Sequence, residues 1–384
     1  MRVDSKPFRV SLLSEHSVQD ADLKAVPLQA CRSSSMLNQS DFHFLAFPFP
    51  LWKCGLIALP LALVFGLVIV ANGCLLLVLL CVEALWSPMY VLVGALCLVD
   101  LLSALVIVPN ALLVLLNPNH SVSLTECLTQ MFLTHFLSSL ESTLLLAMAL
   151  DRYVAICHPL KYRQVVDRSF FLALALFTLL RSGSVMAVLV GLAASLDFCG
   201  SRVIEHLYCD HMAVVRLGCG DTGPSQRAGV AVIVCFVGLD IPVIILSYLQ
   251  ILIVVHRARE DRWKALHTCG THLMVLLVFY LVGTVAFLSH TLHLSLSSDL
   301  NTVMGLVYIL LPAAFNPIIY GVRTTEIQQG FNQVFGRAYG VWTRTQIVSS
   351  IKVCPWTVPT RKDSSSTHRN SCPAHKGSAP PSIK

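Results

Sequence analysis

Between Cys54 and Val82 not one side chain carries a charge. A helix needs roughly 20 mostly apolar residues to cross the hydrocarbon of a bilayer, and six further stretches meet that requirement. They are Met89 to Leu115, broken only by Asp100; Cys127 to Cys157, with Glu141 midway and Asp151 and Arg152 near its end; and Phe170 to Leu196 with Arg181. Ala228 to Val255 with Asp240, Ala265 to His290 and Thr302 to Tyr320 complete the set. Every peptide group in lipid must be bonded internally, so runs of this length are helices rather than the alternating ten-residue strands of a barrel. The expected fold is an all-α membrane protein, a seven-transmembrane helix bundle. Composition agrees: charged residues make up 12% of the 384, about half the share of a soluble domain. The net charge of +6 is scattered, with no basic block interleaved with aromatics. That argues against a nucleic-acid partner and for membrane lipid as the counter-charge.

Lysine and arginine in the short loops set the orientation. Arg152, Lys161, Arg163 and Arg168 follow the third span, and Arg257, Arg259, Arg262 and Lys264 precede the sixth. The loops of the opposite side offer only Arg202 and Arg216, with Arg227 at the rim. The N-terminus is therefore expected outside and the C-terminus inside, at the plasma membrane. The first inner loop dissents, with Glu83 and no basic residue. Two glycosylation sequons, at Asn38 and Asn119, both fall on the side this topology makes extracellular.

The ends read differently from the middle. Residues 1–53 form an extracellular segment whose first 35 positions are mixed polar and basic, with no apolar run of signal-peptide length. The receptor domain is expected over 54–322. Glu326 to Tyr339 places Ile327, Phe331, Val334, Phe335 and Tyr339 on one stripe, which predicts a short amphipathic eighth helix over 323–339 on the inner membrane surface. From 340 to 384 the chain is rich in Ser, Pro, Lys and Arg and reads as a disordered tail.

Fifteen residues at the inner end of the third span, Met148-Ala149-Leu150-Asp151-Arg152-Tyr153-Val154-Ala155-Ile156-Cys157-His158-Pro159-Leu160-Lys161-Tyr162, closely resemble the odorant-receptor signature. The likeness continues with Asn72-Gly73, Pro88-Met89-Tyr90, Ser247-Tyr248, Lys264 to Leu273, and Pro312 with Asn316-Pro317-Ile318-Ile319-Tyr320. It covers about Met36 to Gly336, so Met36 is the start expected by analogy. His211-Met212-Ala213-Val214-Val215 and Gly238-Leu239-Asp240 resemble the class I, fish-like branch of this rhodopsin-like, G-protein-coupled family. The chain departs from the family in carrying His267 where Ser is usual, and in its first inner loop.

The resemblance implies a receptor, not an enzyme, with a small odorant and a heterotrimeric G protein of the stimulatory olfactory type as partners and cyclic AMP as output. It implies a switch built from Asp151, Arg152, Tyr153, Tyr248, Asn316, Pro317 and Tyr320. By family register, the ligand pocket draws on Thr134, His135, Ser138, Ser139, Met212, Tyr280, Gly283, Phe287 and His290. Cys127, Cys199, Cys209 and Cys219 allow three pairings from sequence alone, and the resemblance selects Cys127 with Cys209 and Cys199 with Cys219. No cofactor is expected. Asp100, Glu141 and Asn316 match a polar cavity that takes a sodium ion or a shared proton, with a structural hydrogen-bond cluster as the equal alternative. Arg181 and Asp240 suggest no partner for one another or for anything else.

Rival functions fare worse. The seventh span has no lysine for a Schiff base, which removes a light sensor, and Thr134 and His135 stand where an amine receptor wants an acid. No repeated halves suggest a transporter. A zinc site at His206, Cys209 and His211, or an intramembrane enzyme built on His267, Cys269 and His272, is a weaker reading. A chemosensory receptor for a small metabolite is the nearest alternative.

Overall fold

The computed structural model describes residues 41–44, 51–117, 120–257, 262–291 and 298–341. In chain order these form strand β1 (Phe42–Phe44), helices α1 (Leu51–Cys81) and α2 (Pro88–Leu116), strand β2 (Ser121–Val122), and helices α3 (Leu124–Cys157), α4 (Tyr162–Val165) and α5 (Arg168–Ala194). Strand β3 (Val203–Ile204) and helices α6 (His211–Val215), α7 (Gly223–Arg257), α8 (Arg262–Thr291), α9 (Ser298–Arg323) and α10 (Thr325–Val341) follow. Among the described residues six helices are long and apolar enough to cross a membrane (α1, α2, α3, α5, α7, α9), and α8 contributes the shorter apolar stretch Cys269–Thr284. These are the seven crossings expected. The chain separates into units Met1–Phe331 and Asn332–Lys384, and of the second the described part is the end of α10.

Helix starts follow local chemistry. Ser123 caps α3 by accepting from the Glu126 amide at 3.2 Å, while its own amide donates to the Glu126 carboxylate at 2.8 Å, a reciprocal box that satisfies two orphan donors. Asp167 accepts from the Phe170 amide at 2.8 Å to open α5, and Pro88 sits in the first turn of α2, where its missing N–H costs nothing. Where the boundaries differ from expectation, the helices mostly run on: α7 begins at Gly223 rather than Ala228, and α9 ends at Arg323 rather than Tyr320. Apolarity marks the lipid-spanning part, and helical hydrogen bonding continues past it into the interface.

α3 lies centrally, against α2, α5, α7 and α8, while α1 packs on α2 and α9. Leu56, Leu59, Leu63, Val70 and Leu80 of α1 are exposed and Leu75 and Val78 are buried. That distribution suits a helix whose outer face meets lipid. Asn72 ties α1 to α9 by donating to the Ala313 carbonyl at 2.8 Å. At the other end of the same interface α10 docks closely: a Cβ on Gly330 would lie 2.8 Å from Val78 Cγ1, and Ile327 is buried. Phe331 is half-buried and Phe335 exposed, so the stripe expected from sequence is turned inward at its start. The side chain of Tyr339 lies outside the described residues.

The end of the bundle bearing the cysteine-rich loop is more ordered than the sequence suggested. β1 pairs antiparallel with β2 (Phe42 opposite Val122) and parallel with β3 (Phe44 opposite Ile204), giving a sheet ordered β2-β1-β3. Phe42 is fully buried, with its ring edge-on to Phe198 at 5.1 Å and Arg202 above it. The core here also takes in Met131, Ile204, Leu207, Val214 and Val215. Within the same loop α6 is capped by Asp210, whose carboxylate accepts from the amides of Met212 at 2.9 Å and Ala213 at 3.2 Å.

Candidate functional site

Both disulfides form as the resemblance implied, Cys127 with Cys209 and Cys199 with Cys219. The first pins the loop to the start of α3, and Gln130 strengthens the junction by accepting from the Cys209 amide at 3.0 Å. The zinc reading of Cys209 is thereby corrected, since its sulfur is spent in a disulfide. Asn38 and Asn119 lie outside the described residues.

The loop brings His211 over α3, where its ring meets His135 edge-on at 6.4 Å. Burial, and then the neighbouring His135, push the His211 imidazole down to about 4 despite the Asp210 carboxylate beside it. It is therefore neutral near pH 7, and its Nε2 lies 3.4 Å from the Ser225 hydroxyl of α7. Met212 reaches the same turn of α7: a Cβ on Gly229 would lie 3.3 Å from His211 Nδ1 and 3.9 Å from Met212 Sδ. His135 itself bonds the Met131 carbonyl through Nδ1 at 2.9 Å, which leaves Nε2 available.

One turn deeper, Ser138 hydrogen-bonds Tyr308 of α9, and that ring lies against Gly283, where a Cβ would come within 2.8 Å of it. Thr134 is buried with an unpartnered hydroxyl. Ser139 is buried too, but its hydroxyl is used by the Phe136 carbonyl at 2.8 Å, so it offers a ligand little. The side chains of Phe287 and His290 lie outside the described residues. Sequence reasoning missed Tyr308 and His211. Tyr308 carried no sign of its role, whereas the Asp210 cap before an apolar run could have announced α6 and with it His211.

Tyr280 stands at the floor of this region and joins it to an unforeseen ion pair. Arg181 of α5 and Asp240 of α7 meet at 2.9 Å, and Arg181 also donates to the Cys235 carbonyl at 2.9 Å and lies 4.3 Å over the Phe236 ring. Ser142 of α3 donates to the second Asp240 oxygen at 2.8 Å and lies 3.1 Å from the Tyr280 hydroxyl of α8. Four helices thus share one buried polar network.

Further along α3, Asn316 of α9 donates to Asp100 of α2 at 3.1 Å and is within bonding reach of Glu141. One oxygen on each of Asp100, Glu141 and Asn316 is buried without a hydrogen-bond partner. Three unpaired oxygens need a cation or a shared proton, so the residues fit a small monovalent ion.

At the far end of α3, Asp151 accepts from the Tyr162 hydroxyl at 2.7 Å, while Arg152 Nε is 3.9 Å from the other carboxylate oxygen. Burial and the bond to Asp151 hold the Tyr162 phenol above its ordinary range. Arg152 is largely buried, and its charge reaches Tyr248 of α7, His272 of α8 and Tyr320 of α9. Tyr320, fully buried, lies 3.4 Å from His272 Nδ1. Pro317 and Pro312 interrupt the hydrogen bonding of α9 beside it. Tyr153 turns away to His158, at 3.3 Å. Of the residues named from sequence, Asp151, Arg152, Tyr248 and Tyr320 come together at this end with His272 beside them, while Tyr153 turns away and Asn316 sits with Asp100 and Glu141.

A profile of the olfactory receptor family matches residues 61–337. The chain is 36% identical to human olfactory receptor 52P1 over 311 residues, which is 79% of this chain and 96% of the relative. It is 38% identical to human olfactory receptor 52D1 over 275 residues (71% and 86%), and 33% identical to human olfactory receptor 56A1 over 314 residues (81% and 98%). With seven apolar helices, the disulfide-tied loop and the clustered Arg152 end, the match over most of its length means that this chain belongs to the olfactory receptor family, the G-protein-coupled odorant receptors.

Proposed function

We propose that the chain binds a small neutral or weakly polar odorant, such as an alcohol, ketone, ester or aldehyde, and raises cyclic AMP through a stimulatory olfactory-type G protein. The observation that carries the ligand class is the pairing of Arg181 with Asp240. It neutralises the guanidinium nearest the pocket, so a carboxylate finds no clamp there. In this reading the odorant is held by Thr134, His135, Ser138, Met212, Tyr280 and Gly283, and the contacts of His211 with His135 and of Tyr308 with Ser138 add those two residues to the proposed set. Phe287 and His290 belong to it by register, and Ser139 supports the α3 wall. Hydroxyls and imidazoles then orient the odorant while aromatic and thioether surface supplies contact, with weak affinity and rapid release.

In this reading residues 1–53 are extracellular, 54–322 form the receptor domain, 323–339 lie on the inner membrane surface, and 340–384 are a cytoplasmic tail. Asn38 and Asn119 carry glycans. When odorant binds, Arg152 leaves Asp151 and turns inward with Tyr248 and Tyr320, and the segment Arg257 to Lys264 meets the G protein. Asp100, Glu141 and Asn316 would hold a sodium ion or a shared proton between their unpartnered oxygens. The test is an odorant panel in cells reporting cyclic AMP, at two pH values, with His135→Ala and His290→Ala alongside. Alcohols or esters should activate, with responses reduced roughly tenfold by loss of a hydrogen bond. Robust activation by short fatty acids at neutral pH, indifferent to both histidines, would overturn the ligand class.

A further inference from the structure

The hydrogen-bond donors around His135 and Tyr280 are largely taken up by the protein itself. A carbonyl oxygen can only accept, so the Nδ1 of His135, 2.9 Å from the Met131 carbonyl, carries the ring proton and donates it. In the uncharged ring Nε2 is then a bare acceptor, and nothing among the described residues donates to it. Tyr280 reaches the same condition by another route. Ser142 gives its one proton to the Asp240 carboxylate at 2.8 Å, so in the 3.1 Å contact between the two hydroxyls Tyr280 is the donor. Its phenol oxygen keeps lone pairs and no free proton. Ser139 likewise donates to the Phe136 carbonyl at 2.8 Å. His211 turns its nitrogens to α7, with Nε2 3.4 Å from the Ser225 hydroxyl and Nδ1 3.3 Å from where a Cβ on Gly229 would stand. A spare proton remains on Thr134, whose hydroxyl is unpartnered among the described residues, and on the bonded pair Ser138 and Tyr308.

We propose that the receptor selects odorants that bring a proton, namely alcohols, and that His135 is the discriminating residue, its Nε2 accepting the odorant hydroxyl. This rests on the pocket proposed above and narrows the ligand class within it. An alcohol can donate to a lone pair and accept a spare proton with the same oxygen, which suits a set of residues holding both. The oxygen of a ketone, aldehyde or ester only accepts. It meets the lone pairs of His135 and Tyr280 with its own, and leaves both acceptors unpaired once water is excluded. Sites that hydrogen-bond a substrate hydroxyl reject the analogue lacking it far better than apolar pockets reject a change of size. An ammonium also donates, but the carboxylate linked to Tyr280 through Ser142 is already neutralised by Arg181, so that charge would stay uncompensated.

The test uses the full-length receptor in cells reporting cyclic AMP, at about pH 8, on the basic side of the ordinary histidine range. The probes are secondary alcohols of about four to ten carbons, each paired with the ketone of the same carbon skeleton, so that size and apolar surface match within a pair. Each activating alcohol should reach its half-maximal response at roughly tenfold to hundredfold lower concentration than its ketone, the equivalent of one or two hydrogen bonds. His135→Phe keeps a flat ring and loses the acceptor. It should bring alcohol and ketone within about threefold of each other by weakening the alcohol. The ratio is taken within the same cells, which cancels any change in surface level, and the unaltered receptor decides the matter if the variant is not exported. Ketones as potent as their alcohols in the unaltered receptor, or an alcohol preference unchanged in His135→Phe, would overturn the selection for donors while leaving the neutral-odorant reading in place. Activation by short fatty acids and by neither member of any pair would remove both.

Discussion

Arg181 and Asp240 each sit among apolar neighbours in the sequence, and each alone would be costly at membrane depth. The structure resolves this by pairing them across α5 and α7 and adding Ser142. That pairing was illegible from sequence because it depends on how two helices, 59 positions apart at these residues, are rotated toward one another. Breaking one side leaves a buried charge uncompensated, a loss of about 3–5 kcal/mol. Asp240→Ala should therefore sharply lower the melting temperature and surface level of the receptor, and Arg181→Leu/Asp240→Leu should recover most of both. A melting curve of the double variant as low as that of Asp240→Ala would count against the pairing as the cause. His211 makes a prediction of the opposite kind. Its folded value is depressed from 6.5 to about 4, so the unfolded chain takes up a proton that the folded one refuses. Its stabilising contribution is complete above about pH 6.5 and is lost as pH falls toward 4, roughly 3 kcal/mol over that window. Purified receptor should melt progressively lower between pH 7 and 4.5, and His211→Asn should flatten that dependence.

At the scale of elements, what was legible was whatever apolar length or local capping dictates. The seven crossings follow from long hydrophobic runs with few charges, and the start of α3 from the Ser123–Glu126 box. The loop between α5 and α7 was harder, because β3 is two residues long and α6 five, too short for any periodicity to emerge. Their order comes from covalent and tertiary ties instead. The Cys127–Cys209 bridge spans 82 positions and holds the loop that carries His211 against His135 of α3. Cys209→Ser should cost about 2–5 kcal/mol and leave the receptor inside the cell, measured as loss of surface staining at unchanged total protein. Normal surface staining with intact ligand response would contradict this.

For the molecule as a whole, α3 is the common member of every polar assembly described: His135 and Ser138 at the pocket, Ser142 in the ion-pair network, Glu141 in the acidic cluster, Arg152 at the far end. A shift of α8 at Tyr280 therefore has a continuous packed route to the Arg152 cluster, where His272 of the same helix touches Tyr320. Arg152→Ala should abolish odorant-driven cyclic AMP while leaving surface expression roughly intact, and full signalling by that variant would remove the switch. The strand Phe42–Phe44 bears on something else, the order in which the chain is assembled. It is synthesised before any membrane helix, yet its partners are Ser121–Val122 and Val203–Ile204, made after two and four crossings. The earliest-made element among the described residues is thus among the last to close, and Phe42 and Phe44 must stay uncommitted while helices α1, α2, α3 and α5 enter the bilayer. Anything fused close ahead of residue 42 would travel with that waiting strand, and its bulk would be felt at the final step of folding, when the sheet shuts over the disulfide end.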